Sequence, residues 1–539
     1  MTSCQVQEAS SESIMMDRFS DLPDEISHHI ISFLSDSLRN LIQVGAVSKR
    51  CRKLYLSVPS IIIDASSVAD CTKLRVRLLN SWDRYFFHRG NNKIERLSIY
   101  WVFRTSWEAK ISDEYFRVTT WIQNAVRCNV EVLHLDLNQY DLRMTVVLPS
   151  CIFLCHSLRT LSVNLYMGKI QSPNLSFSCN LHYLKLKYVV LKDDGIFKWI
   201  SYSCKCIKEL HLEKVIGIKD IKIESSSLES FSLLLPFQNY ELCDLSISAE
   251  KLEDICRHWQ FDSRCDSKFH HLPRIRSINL FAPKLKNFKW SGNFLNHHHL
   301  GNLMCLEEAD IFLMPDLDDS SNLFEVLCSI CMVKVLTLNE ETTKALCRGG
   351  SLPVPLDSIR YLSLHVTSLN ADLVAAMVSI FRGITSLNTL CKMSDLSKSS
   401  VSGTEDDSDI EEVVEDNDTE EENNENEEED NDNYTEEEDN ETKEENATEK
   451  ENNESRFNVE YWKSQNLTFI YQLKEMRIDL LDGNNELEFA RYILENAPSL
   501  EKMVIIQSPQ HSDVVEMVTK SKMISNATVV LQERQSSWP

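Results

Sequence analysis

From Ile94 onward one spacing keeps returning: an apolar residue, two others, an apolar residue, one other, an apolar residue. Its copies are Ile94/Leu97/Ile99, Val130/Leu133/Leu135, Leu158/Leu161/Val163, Leu181/Leu184/Leu186, Ile207/Leu210/Leu212 and Leu228/Phe231/Leu233. They continue with Ile275/Ile278/Leu280, Leu306/Ala309/Ile311, Val333/Leu336/Leu338 and Ile359/Leu362/Leu364. Side chains alternate across a strand, so each copy turns its apolar residues to one side, and one copy alone cannot cover them. Stacking neighbour on neighbour buries a continuous core, which predicts an α/β chain of stacked strands over residues 59–392. The stack is irregular, because Leu242–Leu252 and Ile275–Leu285 form close doublets ten residues apart.

This spacing resembles the leucine-rich repeat. The resemblance implies an irregular solenoid whose concave side binds a partner. Residues lying between the buried ones face that side: Ser98, Tyr100, His134, Asp136, Ser162, Asn164, Lys185, Lys187, His211, Glu213, Asn279, Phe281 and Lys289. Tyr100, His134, Lys185, His211 and Phe281 are the candidate target-binding residues. Tyr100 and Phe281 are the expected anchors, because exposed aromatics are enriched among binding hot spots.

Ahead of the repeats, residues 18–58 read as a compact helical module after a polar tail at 1–17. Pro23 suits a first helical turn, and Asp24 and Glu25 suit the positive end of a helix dipole. Ile26, Ile30, Phe33 and Leu34 follow at helical spacing, and two more apolar runs lead to Leu54. The runs Leu22-Pro23-Asp24-Glu25-Ile26, Ile30-Ile31-Ser32-Phe33-Leu34 and Val47-Ser48-Lys49-Arg50, then Leu54, resemble the F-box, a three-helix fold. By that resemblance Leu22, Pro23, Ile26, Ile30, Val47, Ser48 and Leu54 would contact the adaptor of a cullin–RING ubiquitin ligase, of the S-phase-kinase-associated type. Cys51 stands where the family usually has Trp, and Gly45 lies within helix at a cost of about 1 kcal/mol.

The net charge of −26 comes from one stretch. Glu405–Glu454 holds 28 acidic residues and two lysines, and the remaining 54 acidic and 54 basic residues balance. The neutral remainder has no basic excess to draw it to nucleic acid or to an anionic membrane surface. Residues 393–455 are expected to be a disordered acidic insertion, since such a composition cannot bury enough apolar surface to fold. Thr404, Ser408, Thr419 and Thr435 each have an acidic residue three positions on, a pattern suited to acid-directed kinases. A second reading of the whole chain is a non-catalytic scaffold that binds basic partners through this tract.

Repeat-like sequence resumes in residues 456–539, with Leu473/Met476/Ile478 and Leu500/Met503/Ile505, and a helix is predicted over Leu487–Leu494. Tyr461-Trp462, Leu473-Lys474-Glu475, Asp482-Gly483, Glu486–Ala497 and Leu500–Ile505 resemble the FBD domain that ends many plant F-box proteins with leucine-rich repeats. The combined resemblance implies a plant ubiquitin-ligase receptor that binds a target protein and, through the adaptor, a cullin. Such a receptor is not itself an enzyme and needs no cofactor. No Gly-x-Ser-x-Gly, His-Glu-x-x-His or phosphate-binding glycine loop occurs. Cys328-x-x-Cys331 lacks a second ligand pair, so Leu327, Ile330 and Met332 around it read as helix core and no metal site is expected. Seventeen cysteines with no secretory signal point to reduced, buried thiols in a cytoplasmic or nuclear protein.

Overall fold

The computed structural model describes residues 19, 21–33, 38–66, 71–103, 111–139, 146–173, 178–234, 243–257, 275–292, 298–301, 303–313, 320–347, 356–394, 457–480, 484–507 and 526–533. They form two units that divide between Tyr361 and Leu362.

The first unit begins with helices α1 (Asp24–Ser32), α2 (Leu38–Val47) and α3 (Lys49–Leu56). Strand β1 (Ser60–Asp64), helix α4 (Thr72–Arg89), strand β2 (Arg96–Phe103), helix α5 (Ile111–Arg127) and strand β3 (Val132–Gln139) follow. Strands β4 (Thr160–Ile170) and β5 (Tyr183–Leu191), helix α6 (Gly195–Ser203) and strand β6 (Glu209–Glu213) come next. A run of strands follows: β7 (Asp220–Glu224), β8 (Ser230–Leu234), β9 (Cys243–Ser248), β10 (Asp254–Arg257), β11 (Ile275–Phe281), β12 (Asn287–Ser291), β13 (His298–His299) and β14 (Glu308–Phe312). The unit closes with α7 (Ser320–Ser329), β15 (Val335–Asn339) and α8 (Glu340–Cys347).

Most of these strands form one parallel sheet in the order β1-β2-β3-β4-β5-β6-β8-β10-β12-β14-β15. The repeat residues lie in matched register. Leu97 pairs with Leu133, Leu133 with Leu161, Leu161 with Leu184 and Leu184 with Leu210, and all are fully buried. The expected α/β repeat fold is present. Toward the start of the unit, helices cover the apolar face. Trp82 and Phe86 of α4 and Trp121 of α5 pack with Trp101 of β2 in a buried aromatic layer. Arg75 of α4 ties that layer together. Its guanidinium meets both carboxylate oxygens of Glu114 at 2.6 Å and lies 4.7 Å from the Trp101 ring centre. A paired, hydrogen-bonded charge of this kind can be buried where a lone one could not.

The doublets in the sequence have a structural cause. Strands β13, β11, β9 and β7 make a second parallel sheet, so successive strands alternate between the two sheets. Between Ser203 and Ser320 no helix occurs among the described residues, and each sheet has one buried face: Ile221, Ile223, Leu245, Ile247, Ile278 and Leu280 on one, Phe231, Phe288 and Ala309 on the other. This corrects one sequence expectation. Phe281 is exposed, but it belongs to β11 in the second sheet and does not share a face with Tyr100. The cysteine pair differs too. Cys328 is exposed and Met332 is half exposed just past the end of α7, while Leu327 and Ile330 are buried with Leu323 and Val326.

The second unit contains β16, whose strand Tyr361–His365 straddles the division, then α9 (Ala371–Gly383), β17 (Thr389–Met393), α10 (Val459–Ser464), β18 (Glu475–Asp479), α11 (Asn484–Asn496), β19 (Lys502–Gln507) and β20 (Thr528–Glu533). Strands β17 to β20 are parallel neighbours in sequence order. Asn370 and Asn458 cap α9 and α10 through their side-chain oxygens. Trp462 is fully buried, 4.4 Å from the ring of Phe489, which stacks on Phe381. The predicted helix at Leu487–Leu494 is the centre of α11. The acidic stretch between β17 and α10, with Thr404, Ser408, Thr419 and Thr435, lies outside the described residues.

Candidate functional site

The N-terminal module has a core of Ile31, Leu41, Leu54 and Val58, against which Phe19, Val44 and Tyr55 pack. So small a core leaves other apolar residues outside. Ile26 and Ile30 of α1 and Phe33 at its C-cap, with Ile42 and Val47 of α2, are exposed, Phe33 to 71% and Val47 to 76%. Helix α1 thus turns Ile31 inward and its remaining apolar side chains outward. Pro23 is exposed and Leu22 half-buried at the start of α1. Arg50 fixes that corner through hydrogen bonds to the carbonyls of Phe19 and Leu22 and a 3.1 Å pair with Asp24. Ser48 is the N-cap of α3, its hydroxyl accepting from the Cys51 amide at 3.0 Å.

Leu54 departs from the sequence expectation. It is 2% exposed and belongs to the module's core, so it supports the surface rather than forming it. The F-box resemblance that assigned Leu54 to the adaptor does not say which face of α3 it occupies. Cys51 is likewise buried. Gly45 has a packing reason: a Cβ there would lie 2.9 Å from Cδ1 of Tyr55.

The outward face of the main sheet carries most of the other candidates. Register places Ser98, His134, Ser162, Lys185 and His211 in one row across β2 to β6, and Tyr100, Asp136, Asn164, Lys187 and Glu213 in the next. Tyr100 and His134 approach to 5.3 Å between ring centres, and Tyr183 and His211 to 5.2 Å. Glu213 pairs with Lys185 at 2.5 Å and Lys187 at 3.7 Å. Burial holds His134 below the usual imidazole range, with Lys185 and Arg96 adding to the effect and Asp136 opposing it. Farther along, Lys289 bridges Glu308 at 3.0 Å and Asp310 at 3.1 Å, and the Glu308 hydrogen bond raises its pKa. Ser98 is buried, so it is lost as a surface residue.

One cluster was missed. Tyr166, Met167, Tyr188 and Lys214 have positive φ, at 44°, 78°, 47° and 50°. Each such non-glycine costs about 1–3 kcal/mol and persists only where its surroundings hold it there. They sit in three neighbouring repeats: Tyr166 and Met167 within β4, Tyr188 within β5, and Lys214 directly after β6. The one sequence signal was Gly168 beside Met167 inside a strand, since an isolated strand glycine marks a bulge or a close backbone approach.

Among the described residues, no group of three or more His, Cys, Asp or Glu could hold a metal ion, and no helix is long and apolar enough to cross a membrane. An apolar void of about 10 Å³ lies between Phe153, Leu161, Cys179 and Trp199, room for at most one water.

Comparison with known proteins adds independent findings. Residues 118–307 match the family model for the LRR repeats of FBD-associated F-box protein At5g56370, and residues 473–505 match the FBD model. The chain is similar to the Arabidopsis thaliana F-box/FBD/LRR-repeat protein At4g03220, 25% identical over 403 residues that cover 70% of this chain and 74% of the relative. It is also similar to F-box/LRR-repeat protein At4g14103 of the same plant, 26% identical over 349 residues, covering 61% of this chain and 80% of the relative. The resemblance read from the sequence, to plant F-box proteins with leucine-rich repeats and an FBD, is thereby shown.

Proposed function

We propose that this chain, whose relatives are plant F-box/FBD/LRR-repeat proteins, is the substrate-recognition subunit of a cullin–RING (SCF-type) ubiquitin ligase. The observation that carries the reading is the exposure of the apolar side chains Ile26, Ile30, Phe33 and Val47 on a module whose own buried core holds four residues. Such a face is ready for an adaptor. Leu22, Pro23 and Ser48 form its edge, and the adaptor would connect it to a cullin.

The repeats would hold a target protein on the outward face of the main sheet. Ubiquitin transfer is then the work of other subunits, and this chain contributes proximity: a lysine held near a charged carrier reacts as though its concentration were raised. The chain is accordingly a non-catalytic receptor, working in the cytoplasm or nucleus where ligase and target meet. A scaffold that binds basic partners through the acidic stretch would have no use for the apolar face.

The test is co-purification with a plant adaptor of the S-phase-kinase-associated type, wild type beside Leu22→Ala/Pro23→Ala. Capture by the wild type and loss in the variant is the expected result. A folded wild type that captures no adaptor isoform overturns the proposal.

A further inference from the structure

We propose that the kinked rim of Tyr166, Met167, Tyr188 and Lys214 is the anchor site for the target, and that it takes a short acidic segment bearing an aromatic side chain. The inference deepens the receptor reading and rests on it for the occupant being a target protein.

Six non-glycine residues among those described have positive φ. Asn129 and Asn466 follow helices, where a left-handed residue is an ordinary exit. The other four gather at the bulge on three adjacent strands of one sheet. There Asn164 pairs with Lys187 and Gly168 with Val189, so three residues of β4 oppose the single Tyr188 of β5. The bulge requires Gly168: a Cβ there would sit 2.7 Å from the Leu165 Cβ and 2.8 Å from the Val146 carbonyl oxygen. The bulge does not require tyrosine or methionine. Glycine or asparagine would hold a left-handed backbone with less strain. Tyr166 and Met167 are nonetheless 36% and 38% exposed, so part of each side chain reaches the surface. Strained residues of this kind cluster where a surface binds.

The chemistry of the rim narrows its partner. Tyr166 and Tyr188 stack at 5.6 Å with planes 6° apart, a rigid aromatic step beside the polarisable Met167. That combination accepts another ring. Lys214 donates to the Tyr188 hydroxyl at 2.8 Å and lies 5.0 Å from its ring centre, with Lys187 at 5.6 Å. Among the described residues, Lys185, Lys187 and Lys214 stand beside Glu213 and Asp136, with Glu213 paired to Lys185 and Lys187. An arginine or lysine approaching the step meets like charge, whereas a carboxylate beside the incoming ring meets ammonium groups.

The experiment uses the full chain and three fluorescein-labelled nonapeptides: aspartates and glutamates around a central phenylalanine, the same peptide with alanine at the centre, and the same peptide with lysines for the acids. Anisotropy titration should show saturable binding of the first, at least about tenfold tighter than either control. Tyr166→Gly, which suits the same backbone and removes the ring, should weaken it by about tenfold, as should Lys214→Met, while Phe281→Ala on the second sheet leaves it unchanged. Equal binding of all three peptides, preference for the basic peptide, absence of binding up to millimolar peptide, or indifference to Tyr166→Gly overturns the proposal. Adaptor capture by the same preparations separates the two readings. Capture without peptide binding removes the rim proposal alone, and peptide binding without capture removes the ligase reading while the rim stands as a binding site.

Discussion

The ammonium of Lys392 lies 3.5 Å from a carboxylate oxygen of Glu486 inside the second unit, although 94 residues separate them in sequence. Lys392 also donates to the Asp479 carbonyl at 3.0 Å, Glu486 accepts from the Leu369 amide at 2.9 Å, and Ser394 bonds the Asp479 carboxylate. Lys392→Met would leave a buried carboxylate without its cation, at a cost of about 3–5 kcal/mol. Adding Glu486→Gln removes the charge and keeps an acceptor for Leu369, so most of that loss should return. Chemical denaturation of the single and double variants checks this.

The same contacts lie beside the acidic stretch 405–454. Ser394 stands before that stretch and Phe457 after it, and β17 pairs directly with β18. Deleting residues 405–454 should therefore leave the thermal midpoint of the chain within a few degrees of wild type, read by calorimetry. A long loop adds only slowly to the entropy of closure.

Gly45→Ala offers a direct test of packing in the N-terminal module. Alanine gains about 1 kcal/mol of helix propensity. Its Cβ would lie 2.9 Å from the Tyr55 ring, which in turn sits 5.1 Å from the ring of Tyr85 and cannot easily retreat. Overpacking costs about 1–3 kcal/mol, so the variant should be destabilised despite its better propensity. Tyr55→Leu in the same chain should relieve it.

His134 makes stability depend on pH. Its folded pKa is depressed by burial, so the unfolded chain binds its proton more readily. The contribution is fully present above the unfolded imidazole pKa of about 6.5 and is lost as pH falls through the folded value. Denaturation midpoints measured from pH 7.5 down to about 5 should decline. His134→Gln should flatten part of that decline.

Thiol reactivity should separate by burial. Cys71, Cys206, Cys305 and Cys328 are exposed, whereas Cys204 is buried and its thiol pKa is raised, first by desolvation and then by its contact with Cys179. Timed alkylation with peptide mapping should label the four exposed thiols well before Cys204.

The repeat strands were legible because the apolar spacing is itself the constraint that stacks them: Leu97, Leu133, Leu161 and Leu184 pair in register. Their doublets were visible too, but alternation reports only which face of a strand is buried, not which sheet the strand joins. That is why Phe281 was grouped with Tyr100. Leu54 was assigned to the adaptor surface by the F-box resemblance, and a motif match does not say whether the core or a partner covers a residue. The rim escaped notice because positive φ at Tyr166 and Tyr188 leaves no trace in residue type, tyrosine being the wrong choice for that backbone.

The account rests most directly on the outer face of the N-terminal module, and one calorimetric titration tests it. The purified chain would be titrated with a plant adaptor of the S-phase-kinase-associated type, wild type beside Val47→Asp. Val47 is exposed, so the charge should leave the fold intact while spoiling an apolar contact. The account predicts saturable binding by the wild type and a loss of at least about tenfold in the variant, with unchanged thermal midpoints. Equal affinity of the two proteins would contradict it, because the adaptor would then be held somewhere other than the face of Ile26, Ile30, Phe33 and Val47.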